Sequence, residues 1–162
     1  DSSQSRGLGD VYKRQGWSFP HITLIKDLPH GELNLCLLLV VIVLTDSLAY
    51  FGGRKFGKTP LAPGISPKKT REGSLCGTVG SMLVGSVIAV NWLGFSWPTA
   101  LLLTFLISVL GQVGDLVESK MKRLCGVKDS GKVLPGHGGI LDRLDSFLLT
   151  TPFFYYWMLL IA

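Results

Sequence analysis

A chain of 162 residues with 47% apolar and 17% charged residues, and a mean hydropathy of +0.39, is not an ordinary soluble globule, in which roughly a quarter of the residues are charged. The same figures exclude disorder, because disordered chains are poor in apolar residues. The net charge of +5 could suit nucleic acid, but with this hydropathy it points to a membrane, whose cytoplasmic loops collect lysine and arginine. No nucleic-acid partner is expected. Cys36, Cys76 and Cys125 are odd in number and far apart, which makes neither a disulfide framework nor a zinc site.

The chain opens at Asp1 and closes inside an apolar run at Ala162, and so reads as a piece or a processed product. Residues 1–16 are polar and Gly-rich, unlike the remainder of the chain, and read as a non-native or cloning-derived leader outside the fold. Fold reasoning therefore starts at residue 17.

Four segments are apolar enough to span a bilayer. The first, Leu33 to Phe51, carries Asp46 as its one charge; about 18 helical residues rise ~27 Å, close to the hydrocarbon thickness. The second runs from Ser74 to Leu93, where Gly77, Ser81 and Gly85 recur every fourth residue, a small-residue stripe that lets another helix approach closely. The third is Pro98 to Leu116, with its proline suited to a first helical turn. The fourth, Leu144 to Ala162, is rich in aromatics. The expected fold is all-α, a polytopic transmembrane helix bundle of about four spans.

Loop charge orients the bundle. Arg54, Lys55, Lys58, Lys68, Lys69 and Arg71 lie between the first two spans, and Lys120, Lys122, Arg123, Lys128, Lys132 and Arg143 between the last two. The intervening GFSWP connection carries no charge. Alternating spans place both basic loops on one side, which the positive-inside rule assigns to the cytoplasm.

Ionisable residues within or at the ends of spans are costly and mark function by default. Asp46 lies near the end of the first span, with Tyr50 one turn on, and reads equally well as a helix-end residue reaching interfacial water. The third span ends in GQVGDLVESKMKR, which puts Asp115, Ser119 and Lys122 on one helix face with Glu118 beside them. Asp142 and Asp145 share a face at the start of the fourth span. Acidic residues from two helices at one membrane depth make an oxygen-rich pocket suited to Mg²⁺, which takes a few carboxylates and leaves positions open for substrate phosphates. A transporter could cluster carboxylates in the same way. The loop between the acidic faces is Gly-rich, and Gly136, Gly138 and Gly139 around His137 allow the backbone to approach a bound anion.

The stretch from Ser119 to Asp145, SKMKRLCGVKDSGKVLPGHGGILDRLD, resembles the diagnostic motif of the phosphatidate cytidylyltransferases (CDP-diacylglycerol synthases). The match runs in order through Ser119, Lys122-Arg123, Lys128-Asp129, Pro135, His137-Gly138-Gly139, Asp142-Arg143 and Asp145. Upstream, TDSLAYFGGRKFGKTPLAPGISPKKTREG is similar to that family's cytoplasmic segment, through Ser66-Pro67-Lys68-Lys69-Thr70 and Glu72-Gly73. The resemblance covers roughly residues 30–162 and corresponds to the family's C-terminal half, so that 17–162 reads as its transmembrane cytidylyltransferase region.

The resemblance implies an integral inner-membrane enzyme with its site facing the cytoplasm, a homodimer, making CDP-diacylglycerol and pyrophosphate from CTP and phosphatidate. It implies a catalytic polar cluster of Asp115, Ser119, Lys122, Asp142 and Asp145. Asp115, Asp142 and Asp145 would be the ligands of Mg²⁺, with a second cation left open. Lys68, Lys69, Arg123, Lys128, Asp129, His137, Gly138 and Arg143 would meet the substrates. A related CTP-dependent enzyme acting on another lipid phosphate or a polyprenol is the neighbouring reading, and an ion transporter is the reading from a different class.

Overall fold

The computed structural model describes residue 18, residues 20–124 and residues 141–161, without the side chains of 122, 124, 141–145 and 148. A short helical segment at 20–26 precedes four helices: α1 (Gly31–Phe56), α2 (Arg71–Leu93), α3 (Trp97–Leu124) and α4 (Leu141–Ile161). A two-stranded antiparallel hairpin, β1 (Pro60–Ala62) and β2 (Ser66–Thr70), joins α1 to α2. Among the described residues three helices, α1, α2 and residues Trp97–Met121 of α3, are long and apolar enough to cross a membrane. The apolar stretch of α4 there is the shorter Leu149–Ile161. This is the all-α membrane bundle that hydropathy predicts. Each of the first three helices extends beyond its apolar core, α1 ending at Phe56 and α3 at Leu124.

The hairpin was not legible as strands, because its residues are basic and proline-rich instead of alternating. Turn chemistry makes it. Pro63 and Gly64 take the central positions of a turn closed by the Ile65 N–H donating to Ala62 O at 3.1 Å, the residue types such turns favour. Pro60 starts β1, where a missing N–H costs little. The pairing sets Pro60 opposite Thr70 and Ala62 opposite Ser66. Glu72 then fastens the hairpin to α2: its carboxylate accepts from the Lys58 and Thr59 N–H groups at 3.1–3.2 Å and from Thr59 Oγ1 at 2.8 Å. Thr70 caps α2 by accepting from the Gly73 N–H at 3.2 Å, a standard N-cap bond.

The α1–α2 seam is built from small residues, as the stripe at Gly77, Ser81 and Gly85 predicts. A Cβ on Gly73 would stand 2.5 Å from Ala49 O, and one on Gly77 would stand 2.6 Å from Thr45 O. Both contacts are with backbone of the facing helix, which cannot rotate away, so glycine permits the approach. Leu37, Leu38, Val41 and Ile42 of α1 pack with Ala89, Leu103, Ile107 and Phe154 in the core. Leu39, Val43, Leu83, Val87, Leu102 and Phe105 face outward. An apolar exterior is what helices solvated by hydrocarbon require.

At the end of the bundle away from the hairpin, Gly94 ends α2 at φ 69°, the left-handed conformation that glycine tolerates. Ser96 and Pro98 open α3, with the Ala100 N–H donating to Ser96 O at 2.9 Å. The helical segment at 20–26 docks there through the fully buried Ile25 and through His21, whose ring lies 5.7 Å from Tyr155.

The seam is directly testable. Gly77→Val is expected to lower stability by about 1–3 kcal/mol through overpacking against fixed backbone, read as a thermal melt in detergent. Gly64→Ala, which adds a Cβ with nothing within 4 Å, is expected to melt as the parent does.

Candidate active site

The glycine seam brings the end of α1 beneath the hairpin, and α3 closes the third side. Between them lies a cavity of about 590 Å³ whose lining includes Asp46, Ala49, Tyr50 and Arg54 from α1, Leu61, Lys68, Lys69 and Thr70 from the hairpin, Ser74 from α2, and Gln112 and Asp115 from α3. Two membrane helices, the hairpin and the start of a third helix thus contribute to one site.

Its electrostatic centre is Lys69. The ammonium bonds to the Asp115 carboxylate in an ion pair whose side chains are each about one-third exposed (33% and 34%). Asp46 acts on the same ammonium. Burial holds the lysine below its ordinary pKa of 10.5, and the Asp46 charge pulls it back up. Desolvation and a nearby carboxylate oppose each other in this way at any half-buried lysine.

Asp115 rests on a polar ladder that runs down into the bundle. Gln112, one turn before it, donates from Nε2 to Thr78 Oγ1 at 2.8 Å and to Ser108 Oγ at 3.4 Å, and its Oε1 accepts from Ser74 Oγ. Deeper, Thr45 Oγ1 lies 2.9 Å from Ser81 Oγ and 3.0 Å from Ser108 Oγ. The ladder ties α1, α2 and α3 together where hydrocarbon offers no competing partner, each bond contributing about 0.6 to 2 kcal/mol.

The predicted site residues fall into three groups. Asp115, Lys68 and Lys69 meet in the cavity. Ser119 is half-buried one turn further along α3, and Arg123 is exposed there, its Nε donating to Ile65 O in the hairpin turn at 3.4 Å. The Lys122 backbone continues the same helix, and Asp142, Arg143 and Asp145 form the first turn of α4; their side chains lie outside the described residues. Lys128, Asp129, His137 and Gly138 lie outside them altogether.

Backbone register nonetheless relates the two acidic segments. A Cβ on Gly111 would stand 3.8 Å from Ser146 Cβ and from Thr150 Cγ2, so α3 and α4 pack at that level. Asp115 is one turn beyond Gly111 and residue 142 one turn before Ser146, which in antiparallel helices sets them at matching depth. Among the described residues no group of three His, Cys, Asp or Glu side chains converges. The described donors are the carboxylates of Asp46 and Asp115 with hydroxyl and amide oxygens around them. That all-oxygen set, with one or two carboxylates, fits Mg²⁺ better than a softer metal.

Sequence reasoning left Asp46 undecided and missed Gln112 and Ser74. The signal for Asp46 was present, as a lone carboxylate in an apolar span. The signal for Gln112 was its place one turn before Asp115 in an otherwise apolar run.

Fold and site together define an integral membrane protein with a charged cavity at one end of a helix bundle. A model of the cytidylyltransferase family matches residues 14–161, and the chain belongs to that family. It is 46% identical over 149 residues to a phosphatidate cytidylyltransferase of Bacillus subtilis (strain 168), covering 91% of this chain and 55% of the relative. It is 50% identical over 118 residues to one of Helicobacter pylori, covering 73% and 44% respectively. A Synechocystis protein of the same name is 46% identical over 151 residues, covering 91% and 48%. The chain spans about half the length of the curated relatives it matches.

Removing the amide of Gln112 while keeping its bulk, as Gln112→Leu, is expected to lower the melting stability by about 1–2 kcal/mol. Asn91→Leu is the comparison, since Asn91 is exposed and, among the described residues, donates to Val87 O of its own helix. A change within about 0.5 kcal/mol is expected there.

Proposed function

We propose that the protein carrying this chain is a phosphatidate cytidylyltransferase, transferring CMP from CTP to phosphatidate to give CDP-diacylglycerol and pyrophosphate. The observation that carries this reading is the cavity, in which cations, carboxylates and an apolar wall meet at the end of the membrane helices. Ala49, Tyr50 and Leu61 suit a lipid's glycerol and first methylenes, while Arg54, Lys68 and Lys69 suit phosphates. The family membership and the names of the relatives point the same way.

A phosphate monoester has its second pKa near 6 and is largely a dianion at neutral pH, so the acceptor needs no strong base. Its oxygen attacks the α-phosphorus of CTP, the new O–P bond forms, and the bond to the β-phosphate breaks as pyrophosphate leaves. The work of the protein is alignment and charge neutralisation. Arg54, Lys68 and Lys69 hold phosphate oxygens. Asp46 and Asp115, with Asp142 and Asp145 from the first turn of α4, would hold Mg²⁺, which supplies Lewis-acid neutralisation of phosphate charge when bound. Ser119, Lys122, Arg123, Lys128, Asp129, His137, Gly138 and Arg143 complete the substrate contacts in this reading. The basic hairpin favours a cytoplasmic opening in the inner membrane; the homodimer rests on the family resemblance alone.

The test is CTP turnover in membranes containing the chain, expressed alone and also in place of the matched segment of the Bacillus subtilis relative. Expected is phosphatidate-dependent CDP-diacylglycerol with equimolar pyrophosphate, stopped by chelation of Mg²⁺. Asp46→Asn, Asp115→Asn, Asp142→Asn and Asp145→Asn, with membrane insertion intact, are each expected to reduce kcat by about 10²-fold or more. Turnover with a polyprenyl phosphate and none with phosphatidate would move the assignment to the neighbouring substrate class. Ion flux without CTP consumption would overturn it.

A further inference from the structure

The centre of the cavity carries a charge arrangement that the proposed chemistry does not by itself require. Asp46 closes the first span and Asp115 closes the third, and β2 lowers one ammonium, Lys69, onto Asp115, in the same cavity as Asp46 and within reach of its charge. Lys68 and Arg54 line the same cavity, so phosphate binding has other cations available. Two carboxylates beside Ala49, Tyr50 and Leu61 are costly without a counter-charge. A lysine ammonium supplies one as a compact point charge on a flexible four-carbon stem, which can engage and withdraw without backbone movement.

We infer that Lys69 is a tethered counter-cation that competes with the divalent cation for Asp115. With no metal bound, the ammonium neutralises the carboxylates and keeps α1, α3 and the hairpin together. When metal loads, the carboxylate exchanges one cation for another, and Lys69 is released toward the substrate phosphates beside Lys68. Like charges cannot share one carboxylate cheaply, and linkage makes the exclusion mutual: whatever releases Lys69 tightens metal binding by the same factor. Phosphate that captures the freed ammonium therefore strengthens the metal site. This inference rests on the metal assignment proposed above.

The experiment uses Mn²⁺ as the probe, binding to the full chain in nanodiscs and followed by electron paramagnetic resonance without nucleotide or lipid substrate. Lys69→Met, which keeps the stem and removes the charge, is expected to bind Mn²⁺ about tenfold more tightly than the parent, the scale of one screened unit charge. Lys68→Met is expected to change the affinity by less than about twofold, since Lys68 is exposed and lies one residue away. Inorganic phosphate is expected to tighten Mn²⁺ binding in the parent and to do so less in Lys69→Met. A second readout needs no variant: acetylation of Lys69 by an amine reagent, quantified by mass spectrometry, is expected to rise several-fold on adding Mn²⁺, with Lys68 unchanged. Equal or weaker Mn²⁺ binding by Lys69→Met, or protection of Lys69 by the metal, would overturn the counter-cation role while leaving the metal site standing. A parent that binds no Mn²⁺, or an Asp115→Asn variant that binds it as the parent does, would remove the metal reading and this role with it.

Discussion

Carboxylates at the end of membrane helices must be balanced by a cation, and the way that balance is reached shapes the architecture of this chain. Asp46 and Asp115 belong to spans separated by a third helix in sequence, and both line the same cavity. The ammonium of Lys69 pairs with Asp115, and the Asp46 charge acts on it as well. Its position is set by β2, which is set in turn by the Pro63-Gly64 turn and by the three bonds that Glu72 accepts from the start of the hairpin. A charge requirement in the site is thus met by backbone chemistry outside the membrane.

The seam between α1 and α2 makes this possible. In hydrocarbon, helix association gains nothing from hiding apolar surface, so close packing and interhelical hydrogen bonds must supply the attraction. Gly73 and Gly77 bring the backbones near enough that β2 overhangs the last turns of α1. The ladder from Thr45 through Ser108 and Thr78 to Gln112 then fixes α3 one turn from Asp115. The polar interior and the cavity form one continuous structure, whose deep end holds the helices and whose upper end presents the charges.

Membership of the cytidylyltransferase family agrees with a site that mixes both environments. The cavity sets Ala49, Tyr50 and Leu61 beside Arg54, Lys68 and Lys69. Tyr50, 62% exposed, stands at the boundary between the two. Aqueous and apolar surfaces touch at the ends of membrane spans, and the cavity lies at such an end.

Taken alone, the sequence determined what depends on one dimension. Hydropathy runs gave the first three spans, and the four-residue stripe at Gly77, Ser81 and Gly85 the helix that another would approach. Asp115 was legible because a carboxylate at the end of an apolar run is conspicuous wherever the chain later goes, whereas Lys68 and Lys69 were singled out by the family resemblance. The pairing of Lys69 with Asp115, the place of Asp46 beside them and the support from Gln112 were decided by tertiary structure. The Lys69–Asp115 pairing spans 46 residues and the Gln112–Thr78 bond 34, and no local propensity encodes which of many polar side chains will meet across a seam. The hairpin escaped notice for a related reason: its strands are held by turn geometry and by Glu72, whereas strand patterns in sequence announce themselves only when one face is buried.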